Sequence, residues 1–209
     1  KPEVADIIGI RLPEEKNYFE AEDIPLDIMY EDEDLIIINK QPGIIVHPTK
    51  GHPEHTIANG IMKHMQDSGS YFKIRFANRI DMDTSGIVVA VKNSNAQSEF
   101  AKQMKFGTVL KKYLALVEGD VKEYHFEIDL PIGRADPVTV QRKVLTDGGK
   151  DALSEVRVVE RYHNEVYGDY SLVEVTLHTG RTHQIRVHLS HIGHPIAGDA
   201  LYGGNTDLI

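Results

Sequence analysis

The sequence contains no cysteine among its 209 residues. That absence excludes a disulfide framework, a zinc–thiolate site, an iron–sulfur cluster and a thiol nucleophile. No apolar run approaches the roughly 20 residues that a membrane-spanning helix requires, and no secretory signal opens the chain. The first residue is lysine rather than methionine. We therefore expect a cytoplasmic protein whose N-terminus has been trimmed.

Several widespread catalytic signatures are also missing. The chain carries no Walker A loop, no Rossmann glycine fingerprint and no G-x-S-x-G nucleophile elbow. These absences remove nucleoside triphosphatases, dinucleotide-dependent dehydrogenases and α/β-hydrolases as leading hypotheses.

The acidic residues are concentrated at the start of the chain. The formal net charge is −9, which on its own argues against a nucleic-acid partner. Residues 1–40 hold 12 acidic and 4 basic side chains, whereas residues 71–118 hold 8 basic and 4 acidic ones. A nearly neutral body with a basic middle is compatible with binding to RNA phosphates, although a solvated basic surface is the simpler explanation of the same lysines.

Short hydrophobic runs predict many strands and few helices. Strands are predicted over 35–38, 87–91, 113–117, 156–159 and 172–177, with an isolated one over 7–12. Helices are predicted over 57–65, from Ser94 to Gly107 with Ala96, Phe100, Ala101 and Met104 on one face, and after Thr182, with Ser94 and Thr182 as N-caps. Residues 13–25 read as a linker and 133–150 as an irregular insertion or hairpin. These elements indicate an α+β fold around a central, largely antiparallel mixed sheet with flanking helices and loops.

Residues 78–86, with the sequence N-R-I-D-M-D-T-S-G, form a first candidate site. They precede a predicted buried strand, so a loop would deliver their polar side chains to the edge of a sheet. Asp81 and Asp83 could be the paired carboxylates of a glycosidase, but the sequence does not fix the distance between them. A turn in which Asp and Ser bond local backbone amides is the simpler explanation.

Residues 179–188, with the sequence T-G-R-T-H-Q-I-R-V-H, form a second candidate. A strand ends, a glycine turns the chain, and a helix N-terminus then offers free amides to an anion. Arg181 could bind that anion with two hydrogen bonds or make an ordinary structural ion pair. The nearby histidines are His183, His188, His191 and His194. We expect no metal site, because no HExxH motif occurs and no acidic residue lies among these histidines.

Residues 111–115, with the sequence K-K-Y-L-A, form a third candidate. The phenol of Tyr113 beside two cations could stack on a base or move a proton. A strand tyrosine half-buried against the core explains the same pattern.

Four segments occur in the order that is typical of one enzyme family. They are 39–43 (N-K-Q-P-G) followed by His47-Pro48; 79–86; 112–115 (K-Y-L-A) followed by Gly119; and 179–188 followed by 193–196 (G-H-P-I), Gly198-Asp199 and Tyr202-Gly203. Over residues 26–203 the chain therefore resembles the RluA-type RNA pseudouridine synthases.

The resemblance implies that the protein isomerises uridine in RNA without a metal, a cofactor or a nucleotide. It assigns the catalytic carboxylate to Asp81, its cationic partner to Arg181, and a phenol lying against the uracil to Tyr113. Arg79 would enter the RNA stack as the target base leaves. The other residues expected to contact substrate or RNA are Asn78, Thr84, Lys40, His47, Thr182, His183, Gln184 and Arg186.

Two departures from the family pattern are visible. Asn78 stands where the family usually has histidine, and we expect it to tune the activity rather than abolish it. The chain stops at Ile209, before a further family motif, so the catalytic domain expected over 26–209 is incomplete at its C-terminal end. Residues 1–25 resemble the tail of an S4-type RNA-binding domain followed by an acidic linker.

The family resemblance implies ribosomal or transfer RNA as the substrate, and we expect a monomer without membrane contact. One rival hypothesis is a non-catalytic RNA-binding module on the same fold. The set of Asp81, Tyr113 and Arg181 argues against it, because a pure binder does not need all three. The other rival is a metal-dependent hydrolase built on the histidines, which stoichiometric bound metal would support.

Overall fold

The computed structural model describes residues 15–49, 51–136 and 138–206. The chain divides into two compact units after Gln103. The described part holds three α-helices and ten β-strands, and every pairing between these described strands is antiparallel. The predicted α+β class is therefore confirmed, with the strands distributed over two four-stranded sheets and one short hairpin.

The sheet of the first unit has the strand order β1-β2-β4-β3. Its strands are β1 (Asp27–Glu31), β2 (Leu35–Lys40), β3 (Arg75–Phe76) and β4 (Gly86–Val91). The central pair, β2 and β4, corresponds to the two β-branched runs of the sequence, which suit a buried pleated surface. Ile36 and Ile38 on β2 are fully buried and pack with Ala90 of β4 in the core of this unit.

Helix α1 (Ile57–Ser68) covers that sheet and begins where the sequence predicts. Thr56 is its N-cap, and the side chain of Asn59 reaches back to the Thr56 backbone, which satisfies amides that the first turn leaves without helical partners. Ile61 and Met65 on the inner face are buried. Gly69 ends the helix in the left-handed conformation at φ +66°, where a glycine is favoured.

Helix α2 (Ser94–Lys105) confirms the predicted boundaries but corrects two details. The cap is Asn93 rather than Ser94, since the Asn93 side chain accepts a hydrogen bond from the Ala96 amide at 2.8 Å. Of the described residues of α2, none is fully buried, and Ala101 is exposed rather than part of the inner face. The helix lies on the surface with only a narrow strip in partial contact.

The sheet of the second unit has the strand order β5-β10-β9-β6. Its strands are β5 (Lys111–Glu118), β6 (His125–Asp129), β9 (Leu153–Asn164) and β10 (Gly168–Leu177). Residues alternate strictly along β10, so that Ser171, Val173 and Val175 are buried while their neighbours are not. Helix α3 (Gln184–His191) adds Leu189 to the core beneath this face.

Residues 133–150 contain a hairpin, the second of the two predicted possibilities. Strand β7 (Ile132–Arg134) pairs with β8 (Arg142–Val144). Ile132 and Ala152 form a small buried cluster with Val187 and Tyr202. The hairpin is thereby attached to α3 and to the turn that follows it.

The predicted N-terminal strand and linker lie partly outside the described residues. The strand predicted over 7–12 lies outside the described residues, whereas residues 15–25 are described and contain no helix or strand. Asn17 nevertheless bonds the backbone of Phe72 and Ile74 at 2.7 and 3.0 Å, so this stretch is attached to the first unit. No helix within the described ranges is long and apolar enough to cross a membrane.

Candidate active site

Asp81 lies on the loop that joins β3 to β4. Asn78 fixes the start of this loop: its side-chain amide donates to the Ile87 carbonyl and accepts from the Val89 amide, both at 2.8 Å. The carboxamide thus extends the hydrogen bonding of β3 beyond its last residue. Because Asn78 is bonded to main chain on both sides, the loop leaves the sheet in a defined direction.

The loop itself forms a turn, and a hydrogen bond between two backbone groups closes it. The Thr84 amide donates to the Asp81 carbonyl at 3.1 Å. Asp81 and Thr84 are partly buried, whereas Arg79 and Asp83 are exposed. The two carboxylates that were considered as a glycosidase pair therefore differ in environment.

Lys40 supports the middle of the same loop through a hydrogen bond to the Met82 carbonyl. Its side chain is fully buried, and its ammonium donates to the carbonyls of Gln41, Ile44 and Met82 at 2.9, 2.8 and 2.8 Å. Burial lowers the pKa of Lys40, while the charges of Asp83 and Asp81 act in the opposite direction. The sequence predicted a contact between Lys40 and RNA, but its ammonium is directed at protein carbonyls next to Asp81.

His47 belongs to the same unit and lies between two aromatic rings. The ring centroids of Phe19 and Phe76 are 5.2 and 5.9 Å from that of the imidazole, both edge-on. Partial burial lowers the pKa of His47, and the positive charges of Arg79 and Lys73 lower it further. The neutral imidazole is the favoured form, which suits stacking or hydrogen bonding rather than binding to phosphate.

The second unit carries the other candidate residues. Tyr113 is partly buried on β5 and pairs with Val175 of β10. It shares a strand face with Lys111 and with the buried Ala115, because alternate residues of a strand point the same way. Tyr113 is therefore a half-buried strand tyrosine, as the simpler explanation of the sequence predicted. This position is also compatible with a role at a substrate.

Arg181 lies on the turn between β10 and α3, and Gln184 holds this turn. The Gln184 side-chain oxygen accepts from the Arg181 amide at 2.9 Å and from the Thr179 hydroxyl at 2.8 Å. Its amide nitrogen donates to the Leu153 carbonyl at 3.0 Å. The Arg181 side chain is partly buried, and its Nε donates to the Asp151 carbonyl at 2.7 Å, which sets the direction of the guanidinium.

The start of α3 differs from the prediction, which made Thr182 the N-cap. Thr182 is exposed, and the cap residue is His183 in the left-handed region at φ +58°. This conformation is unusual for a residue other than glycine. The Nδ1 atom of His183 lies 2.7 Å from the Tyr202 hydroxyl, and this contact holds the ring in place.

Arg186 and Tyr202 complete this arrangement. The guanidinium of Arg186 makes a two-point ion pair with the carboxylate of Asp199, at 2.7 and 2.8 Å. It also lies 4.8 Å from the centre of the Tyr202 ring. Arg186 therefore anchors the segment after α3.

Two of the remaining histidines of this region, His188 and His194, are bonded to protein groups. His188 is fully buried, with Nε2 2.9 Å from the Leu130 carbonyl and Nδ1 2.9 Å from the Ser154 hydroxyl. The Nδ1 atom of His194 lies 2.9 Å from the Glu118 carbonyl. Within the residues that the structure describes, no group of three potential ligands is placed to hold a metal ion.

Lys111 is a charged neighbour of Arg181 that the sequence did not single out. Its ammonium donates to the Thr179 carbonyl at 3.0 Å. Composition alone makes Lys111 and Lys112 equivalent. Strand alternation distinguishes them, since only Lys111 shares a face with Tyr113, and this signal was present in the sequence.

The structure thus groups the predicted residues into two sets. Asn78, Arg79, Asp81 and Thr84 lie on one loop of the first unit, which contacts Lys40, and His47 belongs to that unit as well. The second unit contains Tyr113, Arg181, Thr182, His183, Gln184 and Arg186.

Comparison with known proteins defines the class. The chain matches the family described as RNA pseudouridylate synthase over residues 34–191. It is 41% identical over 206 residues to the uncharacterized RNA pseudouridine synthase YjbO of Bacillus subtilis, covering 98% of this chain and 71% of that protein. It is 40% identical over 184 residues to ribosomal large subunit pseudouridine synthase D of Pseudomonas aeruginosa, covering 88% of this chain and 55% of that protein.

A solved structure agrees with these matches. Human RNA Pseudouridylate Synthase Domain Containing 1 superposes with a TM-score of 0.70 at 28% identity, over 87% of this chain and 71% of its own. The chain belongs to the RNA pseudouridylate synthase family. The predicted family, fold and class of enzyme are confirmed. The chain spans little more than half the length of the Pseudomonas relative.

Proposed function

We propose that this chain isomerises uridine to pseudouridine in RNA and that Asp81 is its catalytic carboxylate. The observation that carries the proposal is the double anchoring of the Asp81 loop, by Asn78 at its start and by the buried ammonium of Lys40 beneath it. A loop held in this way presents a partly buried carboxylate in one geometry, as catalysis requires.

The reaction needs a carboxylate but no redox partner. The C1′–N1 bond of uridine breaks, the uracil turns, and a C5–C1′ bond forms. The proton on C5 leaves and N1 gains a proton, so substrate and product have the same composition. Asp81 acts at the sugar by attacking C1′, by stabilising an oxocarbenium-like centre or by removing the 2′ proton, and no water is activated as it would be in glycoside hydrolysis.

Arg181 and Tyr113 are proposed to act on the same uridine. A guanidinium whose Nε is bonded to the Asp151 carbonyl has further N–H groups that can pair with a carboxylate. A cation at the uridine would stabilise negative charge in the reaction. Tyr113 lies against the uracil and assists removal of the C5 proton. Arg79, exposed beside Asp81, fills the RNA stack when the base leaves it.

Four of the other predicted contacts receive roles inside the protein. Lys40 and Asn78 hold the Asp81 loop, as their hydrogen bonds suggest. Thr84, His47, Thr182 and His183 remain proposed contacts to RNA, while Gln184 and Arg186 position the Arg181 turn and α3.

The proposed substrate is ribosomal RNA, with transfer RNA as the second possibility. A relative that is 40% identical is named for the large ribosomal subunit, and this supports the first choice. We further propose a cytoplasmic monomer, a catalytic domain that begins near residue 26, and the tail of an S4-type domain with an acidic linker over residues 1–25.

The test is release of tritium from RNA that carries [5-³H]uridine. Wild-type protein is expected to release tritium from large-subunit ribosomal RNA, and Asp81→Asn is expected to be slower by at least about 1000-fold. Asp83→Asn is the matched control, because Asp83 is exposed on the same loop. Full activity of Asp81→Asn would refute the assignment, and no activity of the wild type on any uridine-containing RNA would refute the function.

A further inference from the structure

The two adjacent lysines of strand β5, Lys111 and Lys112, lie on opposite faces of the strand. Along this strand Lys111, Tyr113, Ala115 and Val117 lie on one face, and the last two are buried. Lys112 lies on the opposite, exposed face, where its ammonium pairs with Glu174 at 3.1 Å. The half-buried Lys111 therefore belongs to the same surface as the proposed substrate phenol.

The Lys111 side chain runs along the turn that carries Arg181. Its ammonium donates to the Thr179 carbonyl at 3.0 Å, two residues before Arg181. A Cβ built on Gly180 would lie 3.5 Å from this ammonium, so the amine is in contact distance of the turn. The bond to Thr179 connects the end of β10 with the start of β5, where Leu177 pairs with Lys111.

Hydrogen bonds from two different side chains, Gln184 and Lys111, hold the turn that carries Arg181. Gln184 bonds the Arg181 amide and the Thr179 hydroxyl from the side of α3. Lys111 bonds the Thr179 carbonyl from the side of β5. The Thr179 backbone and side chain are thereby both engaged, which restricts the rotation of the peptide units that lead into Arg181.

Lys111 also brings a second positive charge close to the guanidinium. Burial lowers the pKa of Lys111, and the charge of Arg181 lowers it further. Two cations at short range repel each other. Both charges add to the positive potential at this turn, which favours an anion there.

We propose that Lys111 is a positioning residue of the pseudouridine synthase reaction, which holds the Arg181 turn and adds its charge to that of the guanidinium. The proposal rests on the proposed function, since it takes Arg181 as part of the active site. Lys111 acts through Arg181 and does not itself need to touch the uridine.

The experiment compares four variants with the wild type under single-turnover conditions on tritiated RNA. Lys111→Met removes the charge and the donor, Lys111→Gln keeps a donor without charge, and Lys111→Arg keeps both. Lys112→Met is the matched control on the opposite face of the same strand. Thermal unfolding of each variant is measured in parallel, so that loss of fold is seen separately from loss of activity.

A double-mutant cycle with Arg181→Lys distinguishes positioning from a general structural effect. Lys111→Met alone is expected to lower the single-turnover rate by about 10- to 100-fold, with RNA affinity changed far less. In the Arg181→Lys background the same change is expected to have a much smaller effect. Lys111→Arg should recover most of the rate, Lys111→Gln should lie between, and Lys112→Met should match the wild type.

Two results would overturn the proposal while leaving the function intact. One is a wild-type rate for Lys111→Met in an active preparation. The other is an equal fold-loss of rate from Lys111→Met in the wild-type and Arg181→Lys backgrounds. Equal losses would mean that the two residues act independently, because independent effects are additive in free energy. If Lys111→Met does not fold, a wild-type rate of folded Lys111→Gln gives the same negative answer. An inactive wild type contradicts the proposed function itself.

Discussion

The ammonium of Lys40 lies 2.8 Å from the carbonyl oxygen of Met82, the residue that follows Asp81. The Gly43 amide donates to the same carbonyl at 2.9 Å. The proposed catalytic loop is thus bonded to the turn after β2 by a buried charge and a backbone amide. A buried lysine is rare unless its charge is compensated, and here three carbonyl dipoles supply that compensation.

Replacing Lys40 should therefore affect stability and activity together. Lys40→Met removes the donor of the Gln41 and Ile44 carbonyls and leaves the Met82 carbonyl only the Gly43 amide, so it is expected to lower the free energy of unfolding by about 2–4 kcal/mol. Tritium release should fall as well, because the Asp81 loop loses its support. Urea unfolding and the tritium assay measure the two effects. Lys63→Met, which removes an exposed helix pair with Asp67, should leave stability nearly unchanged.

Replacing Arg181 should slow the reaction. Arg181→Met removes the guanidinium that is proposed to stabilise negative charge at the uridine, so the single-turnover rate of tritium release is expected to fall by at least about 10-fold. Arg157→Met removes a guanidinium from the exposed face of the second sheet and should leave the rate unchanged. A wild-type rate for Arg181→Met would argue against a role of Arg181 in the reaction.

His188 should make the protein less stable in mild acid. Burial lowers the pKa of His188, so the folded state prefers the neutral ring and binds fewer protons than the unfolded state. Stability is therefore expected to fall as the pH drops below the ordinary histidine value of 6.5. His188→Gln should flatten this dependence between neutral and mildly acidic pH.

The control for His188 is His52→Gln, which changes an exposed histidine of the first unit. It should leave the acid dependence as steep as in the wild type. Equal slopes for the wild type and His188→Gln in urea unfolding at several pH values would contradict the assignment of the neutral ring.

Glu31 should make a second contribution to stability that is lost in acid, in this case in the first unit. Burial raises the pKa of Glu31, but hydrogen bonds from Lys92 and His64, at 2.6 and 2.8 Å, outweigh it and leave the pKa lowered. The stabilisation is present above the ordinary glutamate value of 4.5 and is lost as the pH falls through the lower folded pKa.

Glu31→Gln should therefore reduce stability at neutral pH by about 1 kcal/mol and reduce the additional loss in acid. Urea unfolding of both proteins at neutral and acidic pH measures the difference. Glu33→Gln changes an exposed neighbour and serves as the comparison. A difference between the wild type and Glu31→Gln that stays constant into strong acid would contradict this account.

The sequence predicted the elements whose signal is local. The runs 35–38 and 87–91 are β2 and β4, and 57–65 lies within α1, because buried β-branched runs and helical spacing are read from neighbouring residues. Features that depend on distant contacts were missed. Helix α3 begins after His183 rather than after Thr182, and His183 has a left-handed backbone while its side chain contacts Tyr202, 19 residues further on.

The candidate site was predictable in composition but not in its internal bonding. Asp81, Tyr113 and Arg181 came from family resemblance, because no periodicity relates positions so far apart in the chain. The inward direction of Lys40 and the contact of Lys111 with Thr179 depend on how strands pair, which the sequence pattern leaves open. Alternation along β5 would have separated Lys111 from Lys112.

The most direct test of the account is the single-turnover formation of pseudouridine by Asp81→Asn on RNA that it has demonstrably bound. RNA binding is measured by filter retention, and the product is measured by nucleoside analysis of the recovered RNA. We predict RNA affinity close to that of the wild type and no pseudouridine. Pseudouridine formed at the wild-type rate would show that the carboxylate of Asp81 is not the group that carries the reaction.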